Sequence, residues 1–341
     1  MRMLVFAVII GVATSAGVPA QAPRQDSADR LRSYVPVLPT VKSQYWQVDP
    51  KIGYAVRSIG GGVHVVSDNK WQSAFLVTDE GVIVFDAPAS FGRSLPSAIA
   101  QVTDKPIRML VYSHAHNDHI GGSPAFAGVK DLKIVALDPV AEFLKEMKDP
   151  ERLLPNETFS ARKTITLGGK TVELRRGSYH SNEGDLLISI PQAKFLMAVD
   201  SVTPGYAPFE GFDLTTNFHQ YLRMFDQLLA YDFDTFVGGH LTSIGTRRDV
   251  EIARDYTLDV YRTVKRIHNT IDQAAVVADA AKAIGSDDNE FLLFKVLLDR
   301  VTEDAVQELQ PRWIDRLAGV DVWLPTHVRT ALIYVRWEDR K

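Results

Sequence analysis

Three histidines and an aspartate fall within six positions of the stretch "SHAHNDHIGG", as His114, His116, Asp118 and His119, in a chain with nine histidines among 341 residues. Neutral imidazole nitrogens are the commonest protein ligands for divalent metals, and the pattern H-x-H-x-D-H packs them at a density that solvated surface histidines have no reason to reach. Alternate residues of a loop can point the same way, so His114 and His116 can grip one ion while Asp118 and His119 turn toward a second. A catalytic ion needs three protein ligands and an open position, so further donors should follow. They do, each closing a run that reads as strand. His180 ends "LRRGSYH", Asp200 ends "KFLMAVD", and His240 ends "TFVGGH", where Gly238-Gly239 allows close approach of the backbone. Five histidines and two aspartates suffice for two ions.

Two divalent cations sharing a water lower its pKa, so hydroxide exists near neutral pH, and the same cations polarise a carbonyl and hold the oxyanion that forms. Asp118 is the candidate catalytic residue, able to orient that hydroxide and take its proton. Ser73 and Ser181 have no general base beside them in sequence, which argues against a serine hydrolase. The chain has no cysteine, so thiolate ligands and a lipid-modified cysteine are ruled out. Histidine and carboxylate donors suit zinc best, and also accept iron, manganese or cobalt.

The elements that must position these residues follow from periodicity. Val63–Val66, Ala74–Val77 and Val82–Phe85 are short β-branched and aromatic runs, and Thr78–Gly81 joins the last two as a hairpin. Ile107–Tyr112 is an apolar strand that delivers the histidine cluster on a strand-to-helix loop, with Ser123-Pro124 as the start of the next helix. Gly168-Gly169 and Pro191–Lys194 mark two more hairpins, and Phe218, Leu222, Phe225 and Leu229 recur at helical spacing before a strand at Thr235–Val237. Two blocks of strands followed by helix predict a sandwich with sheets inside and helices outside. From Val250 the apolar residues keep a 3-to-4 spacing through Ile271, so residues 250–341 read as a helical C-terminal extension that could cover the site, cap the core or mediate a homodimer.

Bulk properties narrow the partners. A net charge of −4, with no basic run, offers no field for nucleic acid. Residues 1–20 read as a signal peptide, with Arg2 ahead of an apolar stretch and small residues around Ala20, shorter than the ~20 residues a spanning helix needs. Residues 21–50 read as an N-terminal arm. The expectation is a secreted or periplasmic protein with no stable membrane insertion after leader cleavage.

The ordered runs "SHAHNDHIGG", "GSYHSNEGDLLISIPQAKFLMAVD" and "VGGH" resemble the metallo-β-lactamase superfamily, with a match over roughly residues 53–249. The resemblance implies an α/β fold, a four-layer αββα sandwich over residues 51–249. It also implies His114, His116 and His180 on one ion, Asp118, His119 and His240 on a second, and Asp200 bridging them. A bridging aspartate is similar to the glyoxalase II and lactonase branches. B1 and B2 β-lactamases carry cysteine there, and B3 enzymes typically lack the bridge. What is implied is a dinuclear hydrolase, most readily with two zinc ions, that attacks a small-molecule carbonyl substrate: a lactone, ester, thioester or β-lactam.

Competing readings are an iron-dependent sulfur dioxygenase-like oxidoreductase, which does not need the second site that His119 and His240 supply, and a non-catalytic metal-binding protein. The diiron flavoprotein branch typically has glutamate where His116 stands. Among the remaining candidates, Tyr179, Tyr206 and Phe209 flank the ligands as packing or substrate contacts. His64 reads as a strand side chain, His219 and His268 as solvated helix positions, and His327 as a residue of the extension within reach of a lid.

Overall fold

The apolar runs become two sheets. The first contains, in chain order and in spatial order alike, β1 (Ala55–Gly60), β2 (Val63–Ser67), β3 (Gln72–Val77), β4 (Val82–Phe85), β5 (Ile107–Val111), β6 (Lys133–Leu137) and β7 (Glu157–Phe159). It is antiparallel as far as β4 and parallel from β4 to β7. The second runs in the order β12-β11-β10-β9-β8, from β8 (Arg162–Leu167), β9 (Lys170–Arg176), β10 (Leu186–Ile190) and β11 (Phe195–Ala198) to β12 (Thr235–Val237), with only β11 and β12 parallel. The computed structural model describes residues 34–241 and 243–339, so the expected signal peptide and residues 21–33 of the arm lie outside the described residues. The described residues from Pro36 onward form one compact unit, and all that follows belongs to it.

Side-chain alternation on the second sheet shows why the layers stack. Leu186, Ile188 and Ile190 of β10, with Phe195 and Met197 of β11 and Val237 of β12, share a core with Val65, Phe75, Val84 and Val111 of the first sheet. The intervening residues Leu187, Leu196, Ala198 and Phe236 point the other way, into a second core made with helices. A strand buried on both faces reads as a nearly continuous apolar run, and β10, apolar at every position but Ser189, is buried throughout. Beyond the first sheet, α2 (Leu95–Ala100) and α4 (Asp138–Met147) contribute Leu95, Ile99, Val140 and Leu144. Helix, sheet, sheet, helix is the predicted four-layer order.

One local expectation is corrected. The helix after the histidine cluster does not start at Ser123-Pro124; that segment is a single 3-10 turn, Ser123–Phe126. The helical turn α3 (Asn117–Ile120) begins inside the cluster and carries Asp118 and His119. It stops because the Gly122 N–H turns aside to donate to Ala87 O (2.8 Å), where a Cβ on Gly122 would stand 2.6 Å from Gly92 Cα.

The outer helical layer consists of α5 (Phe218–Leu229), α6 (Arg247–Thr270), α8 (Glu290–Trp313) and α9 (Val320–Trp337), with α7 (Gln273–Ile284) packed on α8. α6 opens on a capping box, Thr246 with Asp249, which satisfies two backbone N–H groups that the first turn leaves unpaired. No helix of the described residues is long and apolar enough to cross a membrane. The arm contributes α1 (Pro39–Lys42) and then Trp46, whose backbone N–H and C=O both bond the Asn69 side chain at 2.9 Å.

His327 of α9 is fully buried. Its Nε2 lies 3.1 Å from Phe209 O and its Nδ1 2.7 Å from Tyr256 Oη. A carbonyl can only accept, so Nε2 carries the proton and Nδ1 accepts from tyrosine. Burial pushes the imidazole down to about 4, so the folded protein refuses a proton that the unfolded chain takes up near 6.5. The lowered folded-state value means this contribution is complete above pH 6.5 and shrinks as pH falls toward 4, by up to about 3 kcal/mol. Urea titrations of wild type and His327→Gln at neutral pH and at about pH 5 should therefore show wild type losing more stability on acidification than the variant; parallel losses would contradict the assignment.

Candidate metal centre

Four loops at one edge of the sandwich meet, and each is tied down by its own backbone bonds. The 113–119 loop hangs from Asp86, which follows β4 in a left-handed conformation (φ 63°): Asp86 Oδ1 accepts from Ser113 N at 2.7 Å, and Ala87 N donates to His119 O at 2.9 Å. Burial pushes the Asp86 carboxyl up to about 6, against the pull of the His119 charge and the Ser113 bonds. The 177–185 loop is gathered by a second buried carboxylate. Asp185 accepts from the N–H groups of Tyr179, His180 and Ser181 at 2.9–3.0 Å, which fixes His180 four residues beyond the end of β9. Asp200 follows β11 with φ 56°, its N–H on Gly238 O at 3.0 Å. Residues 239–241 pair with 70–72 through Gln72 N to Gly239 O and Leu241 N to Lys70 O, both 2.7 Å, and this aims His240 inward.

All seven residues singled out from the sequence come together. Their donor atoms form two groups, each within 4.8 Å: His114, His116, His180 and Asp200; and Asp118, His119 and His240. His180 Nε2 lies 3.1 Å from His116 Nδ1, and His119 Nε2 lies 3.0 Å from His240 Nε2. The Asp200 carboxylate divides between the groups. Oδ2 is 3.4 Å from both His114 Nε2 and His180 Nε2, and Oδ1 is 3.2 Å from His119 Nε2 and 3.0 Å from His240 Nε2. Separations near 3.3 Å are the edges of a tetrahedron whose centre lies roughly 2.0–2.1 Å from each donor, the bond length that zinc makes with histidine and carboxylate. His114 Nε2 is buried with no hydrogen-bond partner, a cost that a cation at the centre of the first group would remove. The donor set therefore fits a divalent metal.

The charges reinforce each other. Burial alone would raise Asp200, but His119 and His240 hold it well below the ordinary carboxylate range. Burial depresses His114 well below its usual value, whereas at His119 the two aspartates overcome burial and hold the ring well above it. The Asp118 side chain is 41% exposed. Its Oδ2 accepts from Trp71 Nε1–H at 3.3 Å. Trp71 is placed by an Asx turn, Asp68 Oδ1 accepting from the N–H groups of Lys70 and Trp71 at 2.8 Å.

Behind His180 lies an unusual turn, Glu210–Leu214. Gly211, Phe212, Asp213 and Leu214 all have φ between 56° and 62°, three of them without glycine's freedom. Left-handed backbone costs about 1–2 kcal/mol per such residue and persists only where the surroundings impose it. The Asp213 carbonyl accepts from His180 Nδ1–H, which leaves Nε2 as the ligand atom. Burial, aided by the Asp200 charge, pushes the Asp213 carboxyl up to about 7, and Phe209 N–H and Tyr221 Oη reach its two oxygens at 3.0 and 3.2 Å.

Of the other candidates, Tyr179 is core, its hydroxyl donating to Val199 O at 2.8 Å. Tyr206 pairs with Tyr45 of the arm, hydroxyl to hydroxyl, at 2.8 Å. Phe209 is 49% exposed and sits edge-on to Trp323. His64 stacks on Phe75, and His219 is exposed beside Tyr334. Sequence reading passed over Asp86, Asp185, Asp213 and Trp71. Only Asp86 carried a local signal, an aspartate directly after an apolar strand as at Asp200.

Residues 72–240 match the metallo-β-lactamase superfamily, and the two-sheet fold is consistent with that match. A curated relative, the 2,4-dinitroanisole O-demethylase subunit alpha of Nocardioides sp., is 25% identical over 57% of this chain and 59% of its own. Two solved structures share the fold. A metallo-β-lactamase from Pontibacter korlensis matches with TM-score 0.52, 18% identity, 59% of this chain and 97% of its own. The stereoselective inverting sec-alkylsulfatase Pisa1 from Pseudomonas sp. matches with TM-score 0.58, 16% identity, 84% of this chain and 51% of its own. The chain thus spans about three fifths of that curated relative and half of the alkylsulfatase.

Proposed function

We propose that the protein is an exported dinuclear metal hydrolase acting on a small carbonyl substrate, with zinc as the native ion. The observation that carries it is the division of the Asp200 carboxylate between two groups of histidines. His114, His116 and His180 would hold the first ion, Asp118, His119 and His240 the second, with Asp200 shared. Bound there, the ions would supply a water acidified toward neutral pH and positive charge for a developing oxyanion. Asp118 would accept the proton of the attacking water, a role supported by its partial exposure and by the bond that its Oδ2 accepts from Trp71 Nε1–H. Phe209 and Leu214, both about half exposed next to the His180 turn, favour a substrate with an apolar group beside the scissile bond. Export rests on the N-terminal leader pattern alone.

A second reading, cleavage of an alkyl sulfate ester, is favoured by one fact. The superfamily match ends at residue 240, so an alignment over 84% of the chain must take in the outer helices as well. Purified protein, stripped of metal and reloaded with zinc, should be assayed on lactones, aryl esters, thioesters, a cephalosporin, alkyl sulfates and 2,4-dinitroanisole. Turnover of a carbonyl class that requires metal and falls at least about a hundredfold in His116→Ala and Asp118→Ala supports the proposal; metal-dependent turnover of alkyl sulfates alone moves it to the second reading. Turnover indifferent to metal and to both substitutions overturns both.

A further inference from the structure

We infer that helix α9 of the outer layer positions the metal centre: Thr326 and His327 clamp the left-handed 210–214 turn, and the turn in turn holds His180 to its ion. The inference rests on the metal-site reading above. His180 and Asp200 are the members of the first group delivered by the second sheet, and His180 is its one histidine from there; His114 and His116 ride together on the loop after β5. Its ring is set by the Asp213 carbonyl, and that carbonyl faces His180 only while residues 211–214 stay in a conformation that no non-glycine residue adopts by preference.

Local bonds alone do not hold the turn. Gly211 N–H donates to Thr326 Oγ1 at 3.0 Å, across 115 positions of sequence. His327 Nε2–H donates to Phe209 O at 3.1 Å, and the His327 ring stacks on Phe212 with centroids 4.4 Å apart and planes at 28°. Tyr256 of α6 fixes the tautomer from behind. Two adjacent residues of α9 thus grip the first and middle parts of the turn, while Asp213 and Thr215 pin its far end, Thr215 Oγ1 donating to Tyr179 O. Both gripping residues lie beyond the region that matches the superfamily. The outer helices are therefore part of the site's construction and more than a cap on the core.

The test uses the full chain and cobalt(II), whose d–d spectrum reports ligand geometry. His327→Phe keeps aromatic volume over Phe212 but cannot donate to Phe209 O; Thr326→Val removes the acceptor for Gly211 N–H together with the hydroxyl's own bond to Trp323 O, which lies within α9. In each variant, competition with a chromogenic chelator should show one of the two cobalt ions bound about 10–100-fold more weakly, as when a ligand's outer partner is lost, with the other within about threefold of wild type. The d–d bands should shift, kcat should fall more than KM changes, and His327→Gln, which can donate again, should recover most of the lost affinity. A purely structural role would lower Tm and leave the spectrum of the folded fraction unchanged. Folded variants that bind two cobalt ions with wild-type affinity and spectrum overturn the inference alone. Wild type that binds no cobalt overturns the metal reading and this one with it. If His327→Phe does not fold, Thr326→Val decides.

Discussion

Asp200→Ala is expected to bind at most one metal ion per chain and to lose turnover by about three orders of magnitude or more. Each Asp200 oxygen stands within 3.0–3.4 Å of two histidine nitrogens, so one residue contributes to both groups. On the proposed dinuclear reading, removing it would take an anion from between two cations as well as a ligand from each. A loss of about 4 kcal/mol of charge stabilisation corresponds to about a thousandfold in rate. Backbone effects must be separated from this, because Asp200 has φ 56° and alanine pays about 1–2 kcal/mol there. Asn tolerates the same conformation, so Asp200→Asn isolates the charge: it should fold like wild type, retain metal more weakly and still lose most activity. Metal analysis by mass spectrometry, with turnover on whichever substrate the panel above yields, checks both variants. Two tightly held ions and activity within tenfold of wild type in Asp200→Ala would contradict a shared ligand.

The seven clustered residues were legible in the sequence because histidine is scarce and because chemistry at a strand end leaves a local mark: an apolar run that stops on a polar residue. The same reasoning reached the sheets, since alternation on β10 and β11 reflects two faces that must both be covered. It stopped where a residue's role is decided by what arrives from elsewhere. Asp185 reads as one more turn aspartate, yet its two oxygens organise three N–H groups around His180. The 210–214 turn contains a single glycine, and nothing in "PFEGFDL" announces four successive left-handed residues. His327 read as a distant lid candidate; its contact with Phe209 spans 118 positions and forms only after the helices dock. The misplaced helix start at Ser123 has the same origin, because Gly122 is pulled out of helix by Ala87, a partner that local capping rules do not see.

Gly238→Ala should be among the most damaging single-methyl changes in the chain. A Cβ at this position would stand 1.9 Å from Val202 O and 3.1 Å from Val202 C, both backbone atoms that cannot rotate aside. Relief requires the 200–202 loop and the β12 end to part, yet Gly238 O accepts from Asp200 N–H, and His240 lies two residues on. Overpacking of this kind costs about 3 kcal/mol, and a displacement of about 1 Å at reacting groups can cost about a hundredfold in rate. Urea denaturation and turnover should therefore fall together, and metal affinity with them. Gly285→Ala provides the contrast. Its φ is 80°, but nothing lies within 4 Å of the added carbon, so the penalty is backbone strain of about 1 kcal/mol at the end of α7 with turnover unchanged. If Gly238→Ala behaves like Gly285→Ala, the close passage of β12 over Val202 does not set the positions of Asp200 and His240, and the account of how the second sheet delivers its ligands fails with it.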